Sequence, residues 1–427
     1  MAGTIKNNKL ELNHICKVEG HASLKINIEK GKVKECLLEA EEGARFFEAI
    51  VLNKDVSDVQ EIVSRICGIC SSSHSVCSLM ALEKACGIII HKKKRIERDL
   101  LLIGERIRSH ATHLYFLTLP DFLGVSALNL TKKYNERVKD ALSLIKFGNF
   151  IVEVFGGREI HPFQETSYQE KQIKKIKEEI DKIIKIAERT LALFLSLKYP
   201  VFERNTEWLC LKEKNGYALS SGVIASSTQK INTDDYSKHL KENIKEYATS
   251  KFVLFDNIPY QTGAMIRVNS NYQQIDEGIK KIIEEHNIKI PMRNPFYNNV
   301  AQAIEILYYS KNIKEMIDEL KGLKEEKEEK MEFKEGRAVA AVEAPRGTLF
   351  HEYEIKEGKI KYCNIITPTA QNLNQMELDI KEYINQLIKR KKIKKEAIII
   401  EIEKLIRAYD PCFSCSTHFL KVDWKET

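Results

Sequence analysis

The sequence lacks any apolar run that approaches the roughly 18–20 residues needed to span a bilayer. Its first residues, MAGTIKNNKLELNH, are polar and lack the apolar core of a signal peptide. Ten cysteines in a chain without an evident targeting segment indicate reduced thiols and not disulfides. These absences predict a cytoplasmic protein with no membrane span.

No basic cluster is interleaved with aromatic residues, as a nucleic-acid stacking surface would require. The net charge of +7 is spread over interleaved Lys and Glu, as in KQIKKIKEEIDKIIKIAER at 171–189. Such interleaving is typical of a solvated helix face with i,i+4 ion pairs. We therefore expect no nucleic-acid partner.

The chain also lacks a second set of clustered cysteines and a glycine-rich dinucleotide fingerprint. Six cysteines are scattered singly, and a free buried cysteine behaves as a small hydrophobe. We therefore expect no iron–sulfur cluster in this chain. The scattered cysteines are Cys16, Cys36, Cys77, Cys86, Cys210 and Cys363.

Two Cys-x-x-Cys pairs lie near opposite ends of the sequence. Cys67 and Cys70 belong to RICGICSSSH, and Cys412 and Cys415 belong to DPCFSCSTH. Four thiolates can hold structural zinc in a closed site, or redox-active nickel or iron in an open one. A zinc ribbon keeps its pairs within a few tens of residues, so this long separation favours a catalytic site that joins the two ends of a large fold.

Hydrophobic periodicity predicts a helix-rich α+β fold. Residues 22–40 alternate around an EKGK turn and predict a β-hairpin. A second hairpin turn, EGKI, lies in the late strand region. Helices are predicted at 56–70, 94–119 (ended by Pro120), 131–151, 168–198, 298–326 and 375–392, and strands in parts of 207–267 and in 337–368.

The position of the cysteine pairs argues against a division into separately folding domains, because a boundary would split the site. We therefore interpret residues 1–427 as a single domain. Within it, the charged segment EEKEEKMEFKEG at 325–336 is expected to be an exposed connection between the long helix and the late strands.

Six further segments surround the cysteine pairs. With them, the chain resembles the large subunit of a nickel–iron hydrogenase over essentially its whole length, most like the cytosolic sulfhydrogenase or NAD(P)-linked type. The resemblance implies an α+β fold with a central helical bundle and peripheral β-hairpins, and the reversible cleavage of H2 to protons and electrons. The segments are KVEGHA (17–22), EGARFFEA (42–49), SHATHLYFLTLPDF (109–122), GGREIHP (156–162), EAPRGT (343–348) and ITPTAQNL (366–373).

The resemblance implies a role for each cysteine. Cys67 and Cys412 would be terminal nickel ligands, and Cys70 and Cys415 would bridge nickel to an iron that carries carbon monoxide and cyanide. His74 would donate a hydrogen bond to a bridging sulfur, and direct ligation of zinc is the alternative for this residue. The implied reaction needs a vacant coordination position, unlike a closed zinc site.

The resemblance also implies two groups that act beside the metals. Glu19 would accept a proton from a nickel-bound thiolate. Arg346 would lie over the open face and donate to cyanide, with Pro345 shaping the pocket and Asp410 pairing with Arg346. An exposed hairpin glutamate and a surface salt bridge are the alternatives for Glu19 and Arg346. Two histidines on one helix face are further candidates for supporting this pocket: His110 and His113.

A second metal ion is implied near the C-terminus. Glu48, the backbone carbonyl of Leu373 and His418 match the ligands of a magnesium or iron(II) ion, and oxygen and imidazole ligands suit such a cation. Residues 419–427 resemble a tail that a maturation protease removes after nickel-insertion factors have acted. A plain terminal extension is the alternative for this tail.

Electrons must leave through partners if this chain holds no second cluster. We expect a small subunit with an iron–sulfur cluster, further iron–sulfur and flavin subunits, and NAD(P) or a similar acceptor. A coenzyme F420-related or viologen-reducing hydrogenase of methanogens is the alternative within the family. A zinc-stabilised scaffold would explain the cysteines but not the other motifs, and the related component of respiratory complex I, which acts in quinone reduction, lacks the cysteine pairs.

Overall fold

The computed structural model describes residues 3–6, 9–43, 45–163, 167–214, 216–323, 335–389 and 395–417. In these residues the chain forms an α+β fold in which long helices surround several small sheets. The described strands are β1 (Gly3–Lys6), β2 (Lys9–Leu12), β3 (Ala22–Glu29), β4 (Lys32–Ala40), β5 (Glu207–Lys212), β6 (Val223–Ser226), β7 (Lys230–Ile231), β8 (Leu240–Ile244), β9 (Lys251–Phe255), β10 (Tyr260–Gln261), β11 (Gly336–Ala344), β12 (Gly347–Lys356) and β13 (Lys359–Ile366).

The helices carry most of the described chain, and a π-helical turn, His113–Thr118, separates the fourth from the fifth. The α-helices are α1 (Phe47–Ile50), α2 (Val56–Ser64), α3 (Ser71–Cys86), α4 (Lys92–Thr112), α5 (Leu119–Leu123), α6 (Ala127–Lys133), α7 (Asn135–Gly156), α8 (Glu170–Leu195), α9 (Tyr236–His239), α10 (Ala264–Ser270), α11 (Glu277–Glu285), α12 (Asn298–Gly322), α13 (Pro368–Ile388), α14 (Lys395–Ala408) and α15 (Phe413–Ser416).

The sheets are small and mostly antiparallel. Strands β1 to β4 follow one another in a four-stranded sheet, and β11, β12 and β13 form a three-stranded sheet. A third sheet has the order β10-β5-β6-β7, with β10 parallel to β5, and β8 pairs with β9. The first sheet packs against α13 through β4, and β12 of the three-stranded sheet is buried on both faces, one of them against α3.

The helical core is built from α4, α7, α8 and α12, which pack against one another. Helices α4 and α7 approach closely because glycines meet at their crossing: a Cβ added to Gly148 would lie 2.6 Å from the carbonyl oxygen of Gly104. Helix α8 buries its isoleucine stripe and leaves the interleaved Lys and Glu on the outside, as the sequence predicted. No helix in the described ranges combines the length and apolarity of a membrane span.

Most predicted elements are confirmed. Residues 22–40 form the β3–β4 hairpin, and the EGKI turn joins β12 to β13. The helices predicted at 131–151, 168–198, 298–326 and 375–392 correspond to α7, α8, α12 and α13. Helix α13 starts earlier than predicted, at Pro368, because proline is tolerated in the first turn of a helix. The predicted connection at 325–336 lies almost entirely outside the described residues.

Two predicted helix ends are wrong. The helix predicted to continue to Pro120 ends as α4 at Thr112, and the chain remains helical through the π-turn into α5, where Pro120 lies in the first turn. The missing N–H of a proline costs nothing at that position, so Pro120 does not terminate the helical path. Helix α2 ends at Ser64, before the first cysteine pair and not through it.

Candidate metal centre

The first cysteine pair lies in the turn between α2 and α3. The backbone N–H of Ile69 donates to the sulfur of Cys67 at 3.3 Å. Cys70 immediately precedes α3, and its carbonyl oxygen accepts from the backbone N–H of His74 at 3.2 Å. The short turn therefore directs both thiols toward the same side, and α3 begins directly after Cys70.

A buried carboxylate on α4 holds this turn in place. Glu105 accepts from the backbone N–H of Ser72 at 2.6 Å and of Ser73 at 3.1 Å, which are otherwise unpaired donors at the start of α3. One turn along α4, Arg108 donates to the carbonyl oxygen of Ile69 at 2.9 Å. Burial raises the pKa of Glu105, so these hydrogen bonds replace the solvation that the carboxylate has lost.

The second cysteine pair lies against the segment that precedes β3. Cys412 forms a parallel β-bridge with Glu19, and the backbone N–H of Phe413 donates to the carbonyl oxygen of Glu19 at 2.8 Å. The hydroxyl of Thr369, at the start of α13, accepts from the backbone N–H of Cys412 at 2.9 Å. Cys415 follows in α15.

Gly20 makes the close approach of these two segments feasible. Its φ is +82°, and a Cβ at this position would lie 2.7 Å from the backbone nitrogen of Ser414. A side chain would therefore push the C-terminal segment away from Glu19. This contact explains the glycine of the EGH motif.

The four cysteine sulfurs form one buried cluster in which all lie within 4.8 Å of one another. Cys67 and Cys412 are 3.6 Å apart, Cys70 and Cys415 are 3.4 Å apart, and the Cys412 and Cys415 sulfurs are 2.7 Å apart. Hydrogen bonds from the other thiols lower the pKa of Cys67, whereas burial raises the pKa of Cys412 and Cys415. Four thiolates here require compensating positive charge, which a bound metal cation would provide.

Glu19 contacts the cluster directly. Its Oε2 lies 2.8 Å from the sulfur of Cys412 and accepts from the backbone N–H of Ser414 at 3.3 Å. Its Oε1 accepts from the hydroxyl of Ser414. Glu19 is half-buried and is not the freely exposed hairpin residue of the alternative interpretation. A carboxylate at hydrogen-bonding distance from a thiol can take up its proton without an intermediary.

Arg346 lies at the tight β11–β12 turn and forms a buried ion pair with Asp410. Its Nε donates to the Asp410 carbonyl at 2.7 Å, and its Nη2 lies 3.0 Å from the Asp410 carboxylate. Asp410 also accepts from Gln302 at 3.0 Å and lies 3.9 Å from His113. The remaining nitrogen, Nη1, is buried and has no hydrogen-bond partner within the described ranges. The surface salt bridge considered for Arg346 is therefore wrong.

A second buried arginine holds the backbone beside Arg346. Arg267 donates to the carbonyl oxygens of Ala344 at 2.9 Å and Pro345 at 2.8 Å. It also forms two hydrogen bonds with Glu305, at 2.6 and 2.8 Å. Pro345 therefore contributes its carbonyl to a fixed anchor as well as its rigid ring to the turn.

Glu305 is the charged centre of this buried network. Burial alone would raise the pKa of Glu305, but Arg267 and Arg106 hold it well below its usual range. His110 lies 2.7 Å from Glu305, and burial lowers the pKa of His110 to about 4. His110 is thus a neutral hydrogen-bonding group near neutral pH and supports the anchor, not the sulfurs.

His74 connects the first pair to the β11–β13 sheet. Its Nδ1 lies 3.0 Å from Nε2 of His351 on β12. Among the described residues, the potential metal-ligand group consists of the four cysteines without His74. His74 nevertheless lines the cavity next to Cys70 and Cys415, so it contacts the space beside the sulfurs.

Glu48, the first of the expected ligands for a second ion, pairs with a lysine. Nζ of Lys251 lies 2.9 and 3.1 Å from the two Glu48 oxygens and 2.9 Å from Glu242. Burial alone would lower the pKa of Lys251, but Glu48 and Glu242 raise it. Leu373 is buried on α13, and His418 lies outside the described residues.

A small cavity of about 10 Å³, room for about one water molecule, adjoins three of the sulfurs. A catalytic metal keeps a coordination position open, and this space lies where a small molecule could approach a metal held by the sulfurs. Besides the cysteine sulfurs, the polar side chains of the cavity wall are those of His74, Arg346 and Thr369. Its lining residues are Cys70, His74, Ala344, Arg346, Leu349, Pro368, Thr369, Cys412 and Cys415.

Together these features define a buried four-sulfur site that could hold a soft metal ion. The profile of the nickel-dependent hydrogenase family matches residues 45–196 and 212–418. The alpha subunit of sulfhydrogenase 2 from Pyrococcus furiosus is 35% identical over 97% of this chain and 100% of its own length. The chain therefore belongs to the nickel-dependent hydrogenase family, which confirms the predicted oxidoreductase class.

Two further comparisons agree with this assignment. A chain of the F420-non-reducing hydrogenase vhc from Methanococcus voltae is 27% identical over 96% of this chain and 95% of its own length. The fold matches that of an NAD+-reducing [NiFe]-hydrogenase in the H2-reduced state with a TM-score of 0.85, at 22% identity, over 97% of this chain and all of that one. The predicted fold class is thus confirmed.

Sequence reasoning missed the residues that hold the site. These residues make contacts far along the chain, so no local spacing marks them. The one available signal was the presence of charged residues on the apolar faces of predicted helices, as in GERIRSH at 104–110. The missed residues are Glu105, Arg108, Arg267, Glu305, His351 and Ser414.

Proposed function

We propose that this chain is the catalytic subunit in which Cys67, Cys70, Cys412 and Cys415 hold a nickel–iron centre. When bound, the centre supplies an open, redox-active position at which H2 is cleaved into protons and electrons. The observation that carries the proposal is the buried four-sulfur cluster with a cavity on one side. Sulfur ligands suit nickel and iron, and the burial of the cluster excludes bulk water.

The contact between Glu19 and Cys412 supports the assignment of terminal and bridging thiolates. A terminal thiolate keeps lone pairs with which it can bind and release a proton, whereas a bridging thiolate commits more of them to metals. Cys412, and not Cys415, lies 2.8 Å from the Glu19 carboxylate. This contact supports Cys412 as a terminal ligand and Cys415 as a bridging one, and by the family resemblance Cys67 would be the other terminal ligand and Cys70 the other bridging ligand.

Glu19 is proposed to carry protons between the Cys412 sulfur and the protein surface. Ser414 holds the carboxylate by its hydroxyl and its backbone N–H, so Oε2 faces the sulfur. An exposed pair, His21 and Glu42, lies 2.6 Å apart next to Gly20. This pair gives titratable groups between Glu19 and solvent.

Arg346 is proposed to donate to cyanide on the iron, which is also proposed to carry carbon monoxide. Its Nη1 is a buried donor without a protein partner in the described part of the chain, and such a donor is costly unless an acceptor is present. Asp410 fixes the other side of the guanidinium. The free donor therefore fits an anionic acceptor in the cavity.

A magnesium or iron(II) ion is proposed at Glu48, the Leu373 carbonyl and His418. The Glu48 carboxylate supports this proposal because it can bind a cation. The ammonium of Lys251 pairs with that carboxylate and would compete with the metal ion for it. Residues 419–427 are proposed to be removed after metal loading by a maturation protease, with nickel-insertion factors acting before it. Mass spectrometry of the mature C-terminus tests this processing, and an end anywhere but His418 would contradict it.

An iron–sulfur small subunit is the proposed electron partner, with cluster and flavin subunits and NAD(P) beyond it, in the cytoplasm. The name of the Pyrococcus relative, which is an alpha subunit, supports a multi-subunit enzyme. Exposed Phe46, Ile160 and Phe163 flank the segments that contact the first cysteine turn, where Arg45 donates to the Ile66 carbonyl at 2.7 Å. An apolar surface here would bring a partner close to the sulfurs. A methanogen-type acceptor is the second candidate, favoured by the Methanococcus relative.

Metal analysis combined with infrared spectroscopy tests the proposed centre on the isolated complex. We expect one nickel and one or more irons per chain, with bands from metal-bound carbon monoxide and cyanide. Stoichiometric zinc without those bands would contradict the proposal and favour a structural scaffold. Replacing Cys412 by Ser should abolish nickel retention, whereas replacing the distant buried Cys210 by Ser should not.

A further inference from the structure

His74, His351 and Tyr353 form a buried hydrogen-bonded chain that begins at the sulfur cavity. The Nδ1 of His74 lies 3.0 Å from Nε2 of His351, and Nδ1 of His351 lies 2.7 Å from the Tyr353 hydroxyl. The exposed fraction is 1% for His74 and 0% for the other two. Of these three residues, the sequence predicted a role beside the sulfurs only for His74.

The side chains of β12 point alternately to its two faces, and this alternation brings His351 and Tyr353 into the hydrogen-bonded series with His74. Residues two apart on a strand lie on the same face, so His351 and Tyr353 both face α3. Tyr236 packs on the opposite face, where it stacks on Phe350 and donates to Glu352 at 2.6 Å. The hydrogen bond of Tyr353 therefore lies on the face of β12 toward the sulfur site, whereas that of Tyr236 lies on the opposite face.

The directions of the hydrogen bonds follow from the tyrosine. Within the described ranges, the Tyr353 hydroxyl bonds only to His351, and burial raises the pKa of Tyr353 well above its usual value. Tyr353 therefore keeps its proton and donates it to Nδ1 of His351, because an accepting phenol would leave its own buried O–H unsatisfied. His351 must then carry its proton on Nε2 and donate to Nδ1 of His74.

We propose that Tyr353 and His351 are positioning residues that fix the tautomer of His74, so that its Nε2–H is presented to the thiolates of Cys70 and Cys415. The inference rests on the proposed nickel–iron function of these cysteines. A hydrogen bond to a metal-bound thiolate withdraws charge from the sulfur, which shifts the potential of the metal site. Without the chain, His74 would populate both tautomers and present a lone pair to the sulfur part of the time.

Four variants of the intact complex separate this role from a purely structural one. Tyr353→Phe removes one oxygen and with it the donor that fixes the chain. His351→Leu breaks the chain, whereas His351→Gln restores it, because the amide oxygen can accept from Tyr353 and the amide nitrogen can donate to His74. Tyr236→Phe is the matched control, since it removes a buried phenol hydrogen bond from the opposite face of β12.

The readouts are the nickel and iron content, the nickel electron paramagnetic resonance spectrum, and the potential at which that spectrum appears. We expect Tyr353→Phe and His351→Leu to retain metal but to shift both the spectrum and the potential, and to lower hydrogen oxidation by about 10–100-fold. His351→Gln and Tyr236→Phe should match the wild type.

The inference is overturned if Tyr353→Phe keeps the wild-type spectrum and potential, or if Tyr236→Phe shifts them equally. Tyr353→Phe alone decides the matter if His351→Leu fails to load metal. Absence of nickel from the wild-type complex would instead contradict the proposed function itself. The two failures are therefore distinguishable.

Discussion

At the scale of single residues, the distance of 2.8 Å between Glu19 and the sulfur of Cys412 makes proton transfer the most directly testable step. Glu19→Gln keeps the shape and one of the two hydrogen bonds from Ser414 but removes the proton acceptor. We expect hydrogen–deuterium exchange in H2 to fall about 10²–10⁴-fold, with nickel content unchanged.

Glu29→Gln is the control for this experiment, because Glu29 lies exposed at the far end of β3, the strand that follows Glu19. It should exchange at the wild-type rate. Exchange by Glu19→Gln at the wild-type rate would show that another group takes the proton from Cys412.

Lys251 would compete with a magnesium ion for the Glu48 carboxylate. In Lys251→Met the ammonium that lies 2.9 Å from Glu48 is absent, so the carboxylate lacks a cation. We expect magnesium to bind about tenfold more tightly to the variant, since loss of a competing ion pair of about 1.4 kcal/mol corresponds to that factor. Calorimetric titration of magnesium into the metal-depleted site measures this change.

Lys241→Met is the control, because Lys241 is exposed on β8 and donates to the Ser237 carbonyl and not to Glu48. It should bind magnesium as the wild type does. Equal affinities in all three proteins would contradict competition by Lys251.

The motif residues and the residues that hold them differ in how far a sequence can reveal them. The cysteines and Glu19 were predictable because their chemistry demands particular residue types in a particular local order. Glu105 and Glu305 were not, because Glu105 reaches Ser72 over 33 positions and Glu305 reaches His110 over 195. No local pattern records which distant donor a buried carboxylate will meet.

At the scale of secondary-structure elements, the crossing of α4 and α7 fixes the platform that carries Glu105 and Arg108. A Cβ at Gly148 would meet the backbone of Gly104 at 2.6 Å and that of Arg108 at 2.8 Å. Gly148→Ala should therefore force the helices apart and cost about 1–3 kcal/mol of the free energy of unfolding. Denaturant or thermal unfolding of the complex measures this loss.

Gly322→Ala is the matched control in α12, because nothing lies within 4 Å of an added Cβ there. Alanine is the better helix former, so this variant should be equal to or slightly more stable than the wild type. Equal stability of the two variants would mean that the α4–α7 crossing can relax without cost.

Helix boundaries show where local patterns stop being sufficient. The apolar periodicity located α7, α8 and α12 because each buries one face against its neighbours. It failed at Pro120 and at Ser64, where tertiary contacts decide whether a turn continues. The turn after Ser64 is held by Arg108 and by the hydrogen bond from His161 to the Ser64 carbonyl, and neither contact is visible from residues 56–70.

At the scale of the whole molecule, the metal site joins segments that are 345 residues apart along the chain. Removal of the metal should therefore loosen residues 67–71 and 409–417 together. Without the metal, the thiolates of each pair either stay charged and buried without a cation or take up protons, and both destabilise the closed site. Hydrogen–deuterium exchange followed by mass spectrometry, before and after chelation, measures the protection of both segments.

Helix α8 is the internal reference for this comparison, because it packs in the helical core away from the sulfurs. Its exchange should not change on chelation. Loosening of 409–417 alone, with 67–71 still protected, would contradict a shared metal.

The joining of distant segments also has a consequence for synthesis. A ribosome completes the RICGIC turn, α3 and the whole helical core before it adds Cys412 and Cys415. During that interval only Cys67 and Cys70 of the four ligands are present, so their thiols can bind an unsuitable metal or be oxidised. Cys412 and Cys415 thus act as a checkpoint, because only a chain that is translated through Cys415 and folded can present all four sulfurs to the cofactor.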